Sequence, residues 1–221
     1  MPYGRGMKWP LHLGFGLALL LAFSSGCRST YYSAWEKVGV YKRDLLKKRV
    51  TAARDEEKEA SQQFTNALTR LKQLYGFEGG NLEKTYRALE NDYQKSASQA
   101  AEVRTRVRDV ESVAKDLFTE WENEIKEISS ATLRDRSRTQ LRETRRKYDE
   151  LYTALRRAEQ SMDPVLVQFR DHTLFLKHNL NAQAIGSLRG EATSIQADIS
   201  RLIAEMNTAI SRADEFIKAL P

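Results

Sequence analysis

Apolar side chains recur along this chain at alternating steps of three and four residues. The first run is Leu46, Val50, Ala53, Ala60, Phe64, Ala67, Leu71 and Leu74, with Glu57 the one polar residue on the stripe. Residues three and four apart share a helix face, so the spacing predicts a heptad seam within a helical region from Tyr31 to Tyr75. Trp35 and Val38 extend the apolar face upstream, and Gly39 weakens the helix locally. Gly76, Gly79 and Gly80 then interrupt the pattern, and Asn81 suits the N-cap of the next helix. A short break between two long helices predicts an antiparallel hairpin.

The pattern is strongest in the second helix: Leu82, Tyr86, Leu89, Tyr93, Ser96, Ala100, Val103, Val107, Val110, Ala114 and Leu117. Trp121, Ile125 and Ile128 continue it with a second step of four, a phase change that locally unwinds a coiled coil. A helix over 82–128 is about 70 Å long at 1.5 Å per residue. After the weaker interruption Ser129-Ser130-Ala131-Thr132, a third face carries Leu141, Tyr148, Leu151, Leu155, Ala158 and Met162. Asp163 and Pro164 suit a cap and a first helical position, which predicts a new helix there, with Leu166, Phe169, Thr173, Leu176 and Leu180 on its face. Beyond Gly186 the seam resumes as Leu188, Ala192, Ile195, Ile199, Leu202, Met206, Ala209, Ala213, Phe216 and Leu220. Gly186 and Gly190 are expected to bend this last helix or to admit a close neighbour. No segment alternates with period two between turn signals, so no sheet is predicted. The expectation is an all-α, elongated antiparallel helical bundle built from long coiled-coil-like helices over 35–221.

The first 26 residues read as an address. Arg5 and Lys8 precede an apolar run from Leu11 to Phe23, and Ser24, Ser25 and Gly26 follow it. Charge, apolar core and small-residue site in that order describe a secretory signal peptide over 1–26. The 13-residue apolar run falls short of the roughly 20 needed to span a bilayer. Phe23-Ser24-Ser25-Gly26-Cys27 resembles a bacterial lipobox, whose cysteine takes diacylglycerol and is acylated again after cleavage. Ser24 departs from the leucine usual at that place, and Ser24 with Gly26 also suits ordinary signal peptidase. Ordinary cleavage would leave Cys27, the one cysteine, as a free thiol in an oxidising compartment. Cys27 is therefore read as the lipidated residue, with 27–34 as a short tether. Arg28 follows it, where an Asp often retains lipoproteins at the inner membrane. The expected address is the outer membrane, facing the periplasm.

Charged residues make up 30% of the chain and hydrophobic residues 41%, a balance that suits solvated helices each burying one stripe. The formal net charge is +6, of which Arg5 and Lys8 account for two, leaving +4 on the mature chain. Its signs are interleaved along the helices, which argues against a nucleic-acid partner. A single cysteine excludes an intramolecular disulfide and a Cys-rich metal site.

Outside the signal segment the histidines are His172 and His178. Six residues apart on one helix, they point about 120° away from each other and do not jointly bind a metal. No phosphate loop, nucleophile elbow, dinucleotide fingerprint or helical metal motif occurs. Neither catalysis nor a cofactor is expected, and the histidines read as partly buried, satisfied groups. The stretch Leu176-Lys177-His178-Asn179-Leu180-Asn181-Ala182-Gln183 sets amides and a histidine among apolar residues. Its favoured reading is a buried polar layer that fixes helix register. The alternative makes Lys177, His178, Asn179 and Asn181 a contact site for a partner. Trp35 and Trp121 read as helix-contact anchors, with an interface role as the sharper alternative.

Trp35-Glu36-Lys37-Val38-Gly39 with Tyr41-Lys42-Arg43, Leu82-Glu83-Lys84-Thr85-Tyr86, Leu117-Phe118-Thr119-Glu120-Trp121 and Leu176-Lys177-His178-Asn179-Leu180-Asn181-Ala182 resemble segments of the bacterial domain-of-unknown-function 2959 proteins. The resemblance implies an exported, helical, lipid-anchored protein and carries over no catalytic residue. The functional expectation is a non-enzymatic envelope lipoprotein that scaffolds or tethers. The alternative is a module that binds envelope polymers or a ligand through basic faces such as Arg134, Arg136, Arg138, Arg142, Arg145 and Arg146. The partners implied are a membrane, through the anchor, and an envelope protein, with self-association left open.

Overall fold

The computed structural model describes residues 41–76 and 82–220, apart from the side chain of Ala182. The signal segment 1–26, Cys27, the tether 27–34, residues 31–40 of the first predicted helical region with Trp35, Val38 and Gly39, and residues 77–81 of the glycine break with the cap candidate Asn81 lie outside the described residues. The chain divides into two compact units, Met1–Lys42 and Arg43–Pro221; the second holds the helical body.

Among the described residues five helices follow in order: α1 Lys42–Tyr75, α2 Leu82–Glu127, α3 Ala131–His178, α4 Ala182–Arg189 and α5 Ala192–Ala219. No strand occurs among the described residues, and the fold is the all-α bundle that the three-four spacing predicts. Every apolar position named on the α1 seam from Leu46 to Leu74 is at most 1% exposed, as are Ala100, Val103, Val107, Val110 and Ala114 of α2. The α5 seam from Ile195 to Phe216 is buried along its whole length. Burial of these stripes supplies most of the favourable free energy of folding, because helices of this polarity gain little from propensity alone.

Side-chain pairs fix the topology. Arg49 meets Asp109 and Arg70 meets Asp92, so α1 and α2 are antiparallel. Phe118 packs edge-on to Tyr148, and Tyr93 to Phe169, so α2 and α3 are antiparallel. Arg157 meets Glu205 and Gln168 donates to Asp198, so α3 and α5 are antiparallel too. Arg54 to Asp214 joins α1 and α5. The four long helices thus form a closed up-down-up-down ring, with α4 as a short connector. Continuing these registers sets Arg43 level with the region near residue 115 of α2, and Ala219 level with the region near residue 145 of α3. Among the described residues, the α2–α3 hairpin therefore runs on as two helices for about ten residues beyond that level, roughly 15 Å.

Two sequence expectations are corrected. No helix begins at Asp163: α3 passes through Pro164 without a break. Met162 and Val165 on either side are buried, and this packing holds the helix. Pro164 itself faces outward, so the carbonyl that loses its amide partner lies on the solvent side, where water satisfies it. Asp163 pairs with Arg104 of α2 instead of capping. Because the helix keeps its phase, Val165 and His172 join Phe169, Thr173 and Leu176 inside. Leu166 is only half-buried and Leu180 is exposed. At the other glycines, the chain breaks at Gly190 between α4 and α5, whereas Gly186 sits within α4 with open space where a Cβ would be.

Candidate functional site

Lys177, His178, Asn179 and Asn181 are all exposed, so the expected buried polar layer is not there. The reason is local. The chain leaves the helix at residue 179, and these amides satisfy the ends of two helices instead of a core layer. Asn179 donates its backbone N–H to Leu176 O at 3.1 Å and its side-chain N–H to Phe175 O at 2.9 Å. The Asn181 side-chain oxygen accepts from Ala184 N at 2.9 Å and caps α4.

Near these groups, large apolar side chains are exposed on α3 and just after it. Leu174 is 51% exposed, Val167 48%, and Phe175 and Leu180 39% each. Val167 and Leu174 are two turns apart, on the side of α3 away from the buried stripe of Val165, Phe169 and Leu176. His178 falls on that outer face one turn further on.

Beneath these side chains, three helices are tied by a hydrogen-bonded chain. The Tyr75 hydroxyl lies 2.7 Å from His172 Nδ1, and His172 Nε2 lies 3.3 Å from the Glu191 carboxylate. A neutral histidine satisfies both: Nδ1 accepts from the tyrosine, and Nε2–H donates to Glu191. Arg189 Nε donates to the Tyr75 carbonyl. Burial pushes the His172 pKa below its ordinary value, against the opposing pull of Glu191. Burial likewise raises the Tyr75 hydroxyl. His172 is the satisfied histidine expected from sequence, and His178 is remote from this chain of bonds. The pairing with Tyr75 carries no sequence signal.

Glu57 is the polar interruption of the α1 seam, and it is fully buried. Neither carboxylate oxygen has a hydrogen-bond partner among the described residues. Its neighbours are otherwise engaged: Glu56 accepts from Gln99 and Arg106, and Glu159 pairs with Arg104 and Arg156. Burial first, then the charges of Glu159 and Glu56, push the Glu57 pKa up to about 8.

At the opposite end, Trp121 bridges α2 and α3 by donating Nε1–H to Ser137 Oγ at 2.8 Å. This is the helix-contact role expected of it. Arg145 pairs with Glu122 at 2.5 Å and lies 5.1 Å from the centroid of the Phe118 ring. A groove of about 340 Å³ opens between the two helices, floored by Ile125 and Leu141 and rimmed by Glu122, Lys126, Arg138, Arg142 and Arg145. Among the described residues no cluster of three His, Cys, Asp or Glu side chains is placed to hold a metal ion. None of the described helices is long and apolar enough to cross a membrane.

Compared with known proteins, the chain matches over residues 31–220 the family described as "Protein of unknown function (DUF2959)". No curated protein and no solved structure matches it.

Proposed function

Starting from a chain that belongs to the DUF2959 family, whose description states no activity, we propose a non-enzymatic envelope lipoprotein, tethered through Cys27, that holds a protein partner against its helical body. The observation that carries this reading is the exposure of Val167, Leu174, Phe175 and Leu180, large apolar side chains near the polar groups Lys177, His178, Asn179 and Asn181. The helical body already has a filled core, so these side chains are surplus to its packing. Large exposed apolar side chains set among charged and polar ones, here with the Arg170–Asp171 pair between Val167 and Leu174, suit a protein contact. The partner it suits is a helix with an apolar stripe, laid along the outer face of α3.

The test is photo-crosslinking in intact cells from a reactive residue at position 174, compared with one at the exposed Gln140 on the same helix. One protein adduct, formed from position 174 and lost in Phe175→Glu, is the expected result. Equal adducts from both positions, or none from either, would reject this surface.

A further inference from the structure

The signs alternate along most of the helices, as expected, but residues 134–147 are an exception at which basic side chains predominate. Residues 134–147 carry seven basic side chains against two acidic ones, so this short stretch holds +5 in a chain whose formal net charge is +6. It forms the first turns of α3, one limb of the α2–α3 hairpin. The α2 limb carries Glu120, Glu122, Glu124 and Glu127 beside Lys126, and Glu122 reaches across to Arg145, so a surface that approaches the outer face of α3 meets a net positive charge. Arg134, Arg138, Arg142 and Arg145 recur at steps of four, four and three, which places them along one stripe. Arg138 and Arg142 rim the groove over Ile125 and Leu141. Arg138 pairs with the exposed Asp135 and Arg145 with Glu122, whereas Arg142 donates to the Thr139 hydroxyl, a neutral partner. At the tip, Leu133 in the first turn of α3 is 56% exposed.

Among the described residues, the turn of the hairpin lies at the end of the helical unit at which α1 starts. Arg43 follows Cys27 by 16 residues, a length of chain that reaches about 55 Å at most.

We infer that the α2–α3 hairpin docks on the anionic phospholipid headgroups of the membrane that carries the anchor, with the arginine stripe on the phosphates and Leu133 at the interface. The inference rests on the lipid-anchor reading of Cys27. Two observations favour a lipid surface over a soluble polyanion. An exposed leucine at the tip gains free energy at a lipid boundary and none from a dissolved anion. The lipid anchor, in turn, holds the whole helical body at high effective concentration near the headgroups.

The test uses the mature lipoprotein carrying Leu133→Cys, in vesicles of phosphatidylcholine alone or with phosphatidylglycerol at about one lipid in three. Acylation removes the Cys27 thiol, so the introduced thiol is the one that reacts with an uncharged maleimide. Labelling at position 133 is expected to slow about tenfold in the anionic vesicles, and high salt should restore it. Leu174→Cys, at the far end of α3, should label equally in both. Arg138→Gln with Arg142→Gln, both exposed, should abolish the slowing at position 133, since each arginine near an anionic surface is worth about fivefold. Equal labelling of position 133 in both vesicle types would overturn the docking. The anchor is read separately, from the mass of the N-terminal peptide. Should Cys27 prove unmodified, flotation of the protein with anionic but not neutral vesicles supports docking, and flotation with neither overturns it.

Discussion

Tyr75 and His172 stand 97 residues apart and share a 2.7 Å hydrogen bond, the tyrosine hydroxyl donating to the buried Nδ1 of the imidazole. Because Glu191 takes the other ring nitrogen, one neutral side chain joins the end of α1, the middle of the last turns of α3 and the start of α5.

Tyr75→Phe should therefore cost about 1–2 kcal/mol, since it leaves a buried acceptor unpaired. Urea denaturation of the mature protein at pH 7.5 measures it. The His172 pKa is held below its ordinary value, so the unfolded chain takes up a proton first as pH falls. This histidine's contribution is present above pH 6.5 and is lost as pH drops through its folded-state value. His172→Gln should flatten that part of the profile. A variant that melts like the wild type from pH 5 to 8 would mean that the bond contributes nothing.

Glu57 acts in the opposite sense. Its folded pKa of about 8 lies above the ordinary carboxyl value of about 4.5, so the fold favours the protonated form. Its contribution is most favourable below pH 4.5, declines as pH rises, and reaches its full penalty above pH 8. At pH 7 the burden is roughly 3 kcal/mol. Glu57→Leu should raise the melting temperature by about 6–12 °C at pH 8, and by much less at pH 4.5. Because this slope is the steeper one, the His172 effect should be read in the Glu57→Leu background. A fall in melting temperature at pH 8 would show that the carboxylate has a partner in the core.

Asn181→Ala removes the cap of α4 and should cost about 1 kcal/mol. Asn181 is exposed, so a buried-layer role would show a larger loss. Thermal melting separates the two, and a cost above about 3 kcal/mol would restore the buried-layer reading.

The anchor is tested on the N-terminal peptide. Mass spectrometry of membrane-derived protein should find the mature chain starting at Cys27 with diacylglycerol on sulfur. Cys27→Ser should block maturation or release the body from the membrane, because acyl chains supply the anchoring free energy at about 0.8 kcal/mol per methylene. Another first residue would mean that Ser24 directs ordinary cleavage.

The seams were legible because burial repeats every three or four residues, and a long periodic run states its own face. That is why nearly every apolar position of α1 and α5 lies where the spacing puts it. Pro164 misled because its effect depends on which side of the helix it faces, and that is a property of the packed bundle. The stretch from Lys177 to Asn181 misled for a related reason. Amides inside a helical seam and amides at a helix end look alike until the end is located. Glu57 was visible as an interruption, but its unpaired burial depends on whether Arg104 and Arg106 reach it, and they are engaged by its neighbours. The meeting of Tyr75 and His172 depends on the closure of the four-helix ring, which no local pattern encodes.

The two-helix stretch beyond the ring has a consequence for how the molecule opens. Around Leu155 each helix is braced by its neighbours on both sides, and amide exchange there should need global unfolding. Around Leu141, among the described residues, α2 and α3 brace only each other. Their amides should exchange through a separate, cheaper opening that leaves the ring intact. Protection along α3 should rise in a gradient from Ala131 towards Leu151, so the same truncation to alanine weighs less on global stability at Leu141 than at Leu155. Among the described residues the hairpin thus opens as a unit of its own, able to change shape without disturbing the packed core.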